Sequence, residues 1–309
     1  MKTEHKVVII GCGMVGSTIA YTLMNSELYD QIVLIDSDMS RAEGEALDIS
    51  HGIPFHRPMQ IYAGLYEDAS DAELIIIAAG GNQSASETRL DLTNRNVDII
   101  RQIIPLIMCH NYSGRLLIVS NPVDILTYVA WKLSGLPREH VIGSGTVLDS
   151  ARLEYLIGRH IDVDSRSVHA YVIGEHGDSE IAAWSSATIS GVPLRLFCSF
   201  SGRNDDTEQE VRNLAYEIIK KKHATYYGIG AAVNRICEAI SRDEQSVLPV
   251  SGVLEGEYDI NGVAISVPRI VGADGIEGYV PLQLNIDEHD ALLESANMLK
   301  KILHKLGFQ

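Results

Sequence analysis

The feature that most limits the fold of this chain is the hexapeptide Gly11-Cys12-Gly13-Met14-Val15-Gly16. It follows the β-branched run Val7–Ile10 directly and opens an apolar helical stretch, Val15–Met24. A strand that turns into a helix this abruptly needs glycine wherever a side chain would collide. Gly11 permits the turn, Gly13 lets backbone approach a bound pyrophosphate, and Gly16 allows the helix to pack closely on the strand. The helix N-terminus then offers unpaired N–H groups and the positive end of its dipole to phosphate. Glycine clusters are common in turns, so the spacing alone is a weak indicator. Its context strengthens it: Asp36 closes a second strand, Ile32–Ile35, twenty residues beyond Gly16, where an acid bonds ribose hydroxyls. A carboxylate there repels a 2′-phosphate. The expected cofactor is therefore NAD rather than NADP, held by Gly11, Gly13, Met14, Val15, Gly16 and Asp36. Cys12, inside the loop, reads as a small packing residue rather than a redox sensor.

The strand–helix alternation continues. Ser40–His51 reads as a short helix, Leu74–Ala79 as a third buried strand, Glu87–His110 as a long helix and Leu116–Ser120 as a further strand. Short apolar runs of this kind suit strands covered on both faces, as in a parallel sheet. In the second half Val168–Ile173 reads as a strand, and Glu208–Lys222 and Tyr226–Arg242 as helices. The pieces between Val247 and Leu284, broken by Gly262, Gly272 and Gly275, read as antiparallel hairpins. Asp287–Leu306 closes the chain as an amphipathic helix. The expected class is α/β: a Rossmann doubly wound parallel sheet followed by a mixed α+β substrate domain. The junction is placed near Gly143–Thr146, giving a dinucleotide-binding domain over 1–145 and a substrate domain over 146–309. The helix 226–242 is able to pack back on the first.

Composition removes several classes of partner. With 25 Lys+Arg against 41 Asp+Glu the formal charge is −16, which argues against nucleic acid. It also requires any site for a small anion to concentrate its own arginines. The apolar runs are too short to span a bilayer, and no apolar stretch precedes the first strand, so neither a membrane partner nor a secretory signal is expected. Four cysteines, Cys12, Cys109, Cys198 and Cys237, form no CxxC or Cys/His set. They read as reduced thiols of a cytoplasmic protein without a metal.

Four further blocks stand in order along the chain: Gly80–Leu90 (GGNQSASETRL), Ser120–Asp124 (SNPVD), Gly143–Leu153 (GSGTVLDSARL) and Gly174–Glu180 (GEHGDSE). Together with the glycine loop they resemble the lactate/malate dehydrogenase family, from about Lys6 to the final helix. The resemblance implies reversible hydride exchange between NADH and a 2-oxo acid. Such a reaction needs an acid–base group that switches near neutral pH, which suits histidine, and the resemblance implies His176. It implies Asp149 as the carboxylate that orients the imidazole. It sets the planar fork of Arg152 against the substrate carboxylate, and it makes Arg89 the group that polarises the ketone. Asn121 is similar to the family asparagine near the carbonyl and, ahead of Pro122, beneath the nicotinamide. Thr225 is similar to a threonine of the substrate wall. Taken singly, Asp149 reads as an N-cap before a helix, Arg89 as a solvated helix-face residue and Thr225 as a packing residue.

Gln83 separates the branches of the family. In the malate branch this position resembles an arginine that pairs with the second carboxylate of oxaloacetate. A neutral glutamine leaves that carboxylate unpaired, at a cost on the order of several kcal/mol. The expected substrate is therefore pyruvate. The competing readings are malate dehydrogenase chemistry, a branched 2-hydroxy acid, and a non-catalytic NAD-binding protein on the same fold. The loop Ser84-Ala85-Ser86, where relatives carry glycine, keeps the second of these open. The resemblance also implies a homo-oligomer, tetramer or dimer, with Ala182–Ile189 and Val192–Leu196 as candidate contacts. Some bacterial members resemble one another in an Arg/His pair that binds fructose 1,6-bisphosphate. His169 matches the histidine, but Glu154 stands where the arginine would be. A carboxylate repels phosphate, so activation by this effector is expected to be absent.

Overall fold

The computed structural model describes residues 5–81, 89–197, 200 and 204–308, with residues 89, 204 and 205 described by their backbone alone. The chain runs β1 (Lys6–Ile10), α1 (Met14–Ser26), β2 (Gln31–Ile35), α2 (Met39–Ser50), β3 (Gln60–Ala63), β4 (Leu74–Ile77), α3 (Arg89–Met108) and β5 (Arg115–Ile118). It continues with α4 (Val123–Ser134), β6 (Val141–Gly143) and α5 (Val147–Ile161). Six strands lie parallel in the order β3-β2-β1-β4-β5-β6. Ile10 pairs with both Ile35 and Ile77, so the loops after β1, β2 and β4 leave the sheet at one edge. In open parallel sheets of this order that edge is where ligands bind.

The remaining elements are β7 (Val168–His169), β8 (Val172–Gly174), β9 (Glu180–Ala182), β10 (Thr188–Ile189), β11 (Val192–Pro193), α6 (Asn204–Lys222) and α7 (Tyr227–Ser241). After them come β12 (Ser246–Leu248), β13 (Ser251–Glu255), β14 (Asn261–Ser266), β15 (Arg269–Gly272), β16 (Gly275–Tyr279) and α8 (Ile286–Lys305). The expected antiparallel hairpins are present as β13–β14 and β15–β16. The parallel sheet does not stop at β6. Gly143 pairs with Ser251 of β13, and Ser266 of β14 pairs with Gly174 of β8, so one sheet of ten strands runs from β3 to β9. This seam brings the end of β6 and the loop after β8 to the same edge as the glycine loop.

Three expectations change. Leu74–Ile77 is the fourth strand rather than the third, because Gln60–Ala63 pairs with β2 at the sheet edge. A half-exposed edge strand carries no continuous apolar run to announce it. Val168–Ile173 is two strands in different sheets, since β7 pairs with β10 while β8 pairs with β9 and β14. Asp149 lies inside the first turn of α5, whose N-cap is Thr146, rather than ahead of the helix. Helix α4 had no amphipathic signature because Val123–Ala130 is buried throughout.

Helix α7 packs against α1: Val233, Ile236 and Cys237 share an apolar cluster with Ile19, Ala20 and Leu23. Among the described residues no helix is long and apolar enough to cross a membrane. Gly230 permits the crossing of α1 and α7, because a Cβ there would lie 2.8 Å from Thr18 Cγ2 and 3.1 Å from Thr22 Oγ1. Gly230→Val is expected to cost about 1–3 kcal/mol by overpacking. Gly44→Ala on α2, where a Cβ meets open space, is expected to gain up to about 1 kcal/mol in helix propensity. Thermal midpoints of the two variants moving in opposite directions check the assignment.

Candidate active site

The glycine loop is built as a cradle. Gly11 adopts φ +101°, which favours glycine, and a Cβ on Gly16 would overlap the Gly11 carbonyl oxygen. Gly13 is the N-cap of α1 and supplies no side chain to cap it, so the first N–H groups of the helix stay available to a ligand. A Cβ on Gly13 would meet nothing within 4 Å, so this backbone faces open space. Asp36 follows β2 and braces the loop: Oδ2 accepts the Cys12 N–H at 2.6 Å and Oδ1 accepts the Asp38 N–H at 2.9 Å. A carboxylate has about four acceptor sites, so room remains for ribose hydroxyls. Beside the loop lies a cavity of about 730 Å³, lined by Gly13, Met14 and Ser17, by Arg41 and Glu45 of α2, and by Tyr226 and Tyr227. Val15 sits half-buried in the first turn of α1. Cys12 is buried, and burial together with the Asp36 charge pushes its thiol up to about 12. A thiol held protonated in this way is a poor nucleophile.

A second cavity of about 360 Å³ opens at the same sheet edge. It is walled by Asn121 and Pro122 after β5, Asp149 and Arg152 of α5, and His176, Gly177 and Asp178 after β8. Glu180 of β9, Leu92 and Thr93 of α3, and Val211, Arg212, Ala215, Tyr216 and Ile219 of α6 complete the wall. Asp149 joins two of these groups. Its Oδ2 lies 2.6 Å from His176 Nδ1 and its Oδ1 accepts from Arg152 Nη1 at 2.8 Å. The three-residue spacing of Asp149 and Arg152 puts them on one face of α5. Asp149 is 2% exposed. Burial pushes its carboxyl up, but the facing His176 and Arg152 outweigh that and hold it below the usual carboxylate range. In return the Asp149 charge, against the cost of burial, raises His176 to about 9.

Several supporting residues are not singled out by the sequence. Asp124, in the first turn of α4, accepts the His176 backbone N–H at 2.8 Å and the Ser251 hydroxyl at 2.6 Å. Burial lifts its carboxyl to about 6. Ser295 of α8 accepts the Glu175 N–H at 2.9 Å and lies 2.8 Å from Ser179 Oγ. Asn96 of α3 donates to the Asn121 carbonyl at 2.7 Å and accepts the Gly81 N–H at 2.9 Å. Each is a small polar residue whose partner lies on a different element, and only the tertiary fold reveals it. Thr225 stands half-buried on the α6–α7 connection, outside the cavity wall. Gln83 lies outside the described residues, and Arg89 is described only as the first residue of α3.

Residues 5–143 match the model of the lactate/malate dehydrogenase NAD binding domain, and residues 146–307 that of the lactate/malate dehydrogenase alpha/beta C-terminal domain. The chain belongs to the lactate/malate dehydrogenase family. It is 50% identical to an L-lactate dehydrogenase of Acetivibrio thermocellus over 99% of this chain and 98% of that protein. It is 49% identical to an L-lactate dehydrogenase of Thermoanaerobacter pseudethanolicus over 98% and 99% of the two chains. Its structure superposes on a lactate dehydrogenase from a Medee basin deep-sea metagenome library with a TM-score of 0.96 at 46% identity, covering 99% of each chain. Superposition on the ligand-bound minor L-lactate dehydrogenase of Enterococcus mundtii gives 0.95 at 43% identity, covering 98% and 99%.

The family's NAD binding domain therefore contains the glycine cradle and Asp36, and its C-terminal domain contains Asp149, Arg152 and His176. In this dehydrogenase the raised basicity of His176 comes first from Asp149. Asp149→Asn removes that charge, so the His176 ring is expected to titrate well below about 9. An NMR titration of the imidazole checks this; an unchanged midpoint would show that another group holds the proton.

Proposed function

We propose that this chain is an NAD-dependent L-lactate dehydrogenase, interconverting pyruvate and L-lactate. The observation that carries this reading is the buried carboxylate of Asp149, bonded to both His176 and Arg152 on one cavity at the edge of the NAD-binding sheet. The names borne by the relatives support the choice of substrate. When bound, NADH supplies the hydride that carbon 2 of the substrate accepts. Gly11, Gly13, Met14, Val15, Gly16, Asp36 and Asn121 are the residues that would hold it.

Arg152 anchors the substrate carboxylate through N–H groups other than the one given to Asp149, leaving up to four donors for the anion. His176, protonated near neutral pH, hands its proton to the ketone oxygen in reduction and takes it from the hydroxyl in oxidation. Asp149 fixes the ring and compensates the imidazolium. In this reading Arg89 polarises the ketone as charge develops on its oxygen, Gln83 selects the substrate side chain and Asn121 serves the carbonyl; Thr225, outside the cavity wall, is assigned to the substrate by resemblance alone. The division of labour runs between residues 1–145 for the dinucleotide and 146–309 for the substrate. The protein is cytoplasmic and a homo-oligomer, tetramer or dimer. Val192 and Leu196, both exposed, suit such contacts better than the largely buried stretch 182–189.

NADH oxidation followed with pyruvate and with oxaloacetate tests the substrate. A kcat/KM strongly favouring pyruvate is expected, and a preference for oxaloacetate would move the enzyme to the malate branch. Arg152→Lys is expected to raise the pyruvate KM on the order of a hundredfold, from about 3 kcal/mol of lost charge-assisted bonding. His176→Asn is expected to bind NADH and fail to turn over.

Fructose 1,6-bisphosphate is expected to leave the pyruvate saturation curve in place. Glu154 is half-buried on α5, and burial raises its carboxyl to about 7 against the Ala170 N–H that it accepts. Neutral or ionised, it offers a phosphate no positive charge. A clear leftward shift on adding the effector would overturn this.

A further inference from the structure

Glu180 opens β9, four residues beyond His176, with only 6% of the residue exposed. It lines the cavity that Asp149, Arg152 and His176 line, and ligating atoms of Glu180, Asp149 and His176 lie within 4.8 Å of one another. Three ionisable groups so close in a desolvated place cannot hold arbitrary charge, because each uncompensated charge costs several kcal/mol. We infer that Glu180 sets the charge of the substrate pocket: with its carboxyl neutral the pocket accepts a 2-oxo acid anion, and with it ionised the pocket repels that anion. This rests on the reading of His176 as proton donor and Arg152 as carboxylate anchor.

The balance of charge gives the reason. Among the described residues, Asp149, His176 and Arg152 leave the pocket with one net positive charge when Glu180 is neutral, which a bound monoanion cancels. Ionised Glu180 removes that surplus, so Arg152 would then hold the anion in a pocket whose described residues carry no net charge to balance it; Arg89, described by its backbone alone, is not counted. Arg212 does not restore it, since its Nη2 is already committed to Glu208 Oε1 at 2.5 Å and to the Glu180 carbonyl at 2.7 Å. Among the described residues, the other acidic groups on the loop after β8 and beneath it have partners of their own. Asp178 is exposed and accepts from the Tyr216 hydroxyl, and Glu175 accepts from Ser179. Asp124 is bonded to Ser251 and to the His176 N–H. Burial raises the Glu180 carboxyl first and the Asp149 charge raises it further. Against His176, Arg212 and Arg152 the balance falls at about 8. The gate therefore closes just above neutral pH, before His176 loses its own proton at about 9.

The test is the pyruvate KM at saturating NADH between pH 7 and 9 for the wild type and Glu180→Gln. The wild-type KM is expected to rise about twentyfold over this range, the product of both ionisations, and that of the variant only about twofold, from His176 alone. The difference should lie in KM rather than kcat, a split that a merely structural role would not produce. Superimposable KM profiles in an active variant would overturn the inference. An unaffected KM in Arg152→Lys would instead overturn the reading on which it rests. If Glu180→Gln does not fold, calorimetry on the wild type decides. Oxamate, the amide isostere of pyruvate, is bound to the NADH complex at pH 8 in two buffers of different ionisation enthalpy. Uptake of about half a proton per site supports the inference, and a tenth or less, what His176 alone would give, overturns it.

Discussion

A buried carboxylate at position 149 would be costly by itself, and its ionisation is what gives the cavity its chemistry. Asp149 is compensated on both oxygens, by His176 on one side and Arg152 on the other. Its place in the first turn of α5 adds the positive end of the helix dipole. The arrangement is mutual. The carboxylate stays ionised because two cations face it, and His176 stays protonated because the carboxylate does. Removing Asp149 would leave two buried cations without their counter-ion, and removing either cation would take away one of the two partners that keep Asp149 ionised. The three residues therefore act as one unit, and their roles are not separable into independent contributions.

That unit exists only because the sheet is continuous across the two halves of the chain. Asp149 follows β6 closely, whereas His176 follows β8, and the two strands are joined through β13 and β14 rather than directly. Asp124 and Ser251 fasten this junction from beneath: Ser251 belongs to β13, Asp124 to α4, and the Asp124 carboxylate also holds the His176 backbone. Thr146, the N-cap of α5, donates to the Val172 carbonyl at 2.5 Å and ties the start of that helix to β8. The site is thus positioned by backbone and short polar side chains, which lose little entropy when fixed.

The sequence was informative where one residue must satisfy a local constraint. The glycine cradle is legible because Gly11 takes φ +101° and a Cβ at Gly16 would collide with the Gly11 carbonyl, both constraints lying within the loop itself. Asp36, Asp149, Arg152 and His176 are legible because their chemistry is carried by residue type within short ordered blocks. What depends on distant partners was not legible. Gln60–Ala63 becomes a strand because β2 offers it an edge, and the first two turns of α4 are buried all round, so neither shows a periodic pattern. Asp124 was visible only as part of a motif, and Ser251, Ser295 and Asn96 did not stand out at all. Their function is a hydrogen bond to a residue between 25 and 127 positions away. Glu180 is the sharpest case. An acid that opens a strand reads as a solvated residue until the fold buries it beside two other ionisable groups.

The formal charge of −16 sets a problem that this geometry answers. Averaged over the surface, the field opposes the approach of a small anion, but at physiological salt it is screened within about 8 Å. Inside that distance only the local charges count. There the chain places Arg152 and His176 against a single Asp149, with the Arg212–Glu208 pair as a neutral flank. A surplus of one positive charge in a desolvated cavity acts far more strongly than many surface charges in water. Binding of a monoanion is thereby decoupled from the overall acidity. A pocket balanced to one charge is also sensitive to one charge, and a single ionisable neighbour at its wall is enough to cancel it.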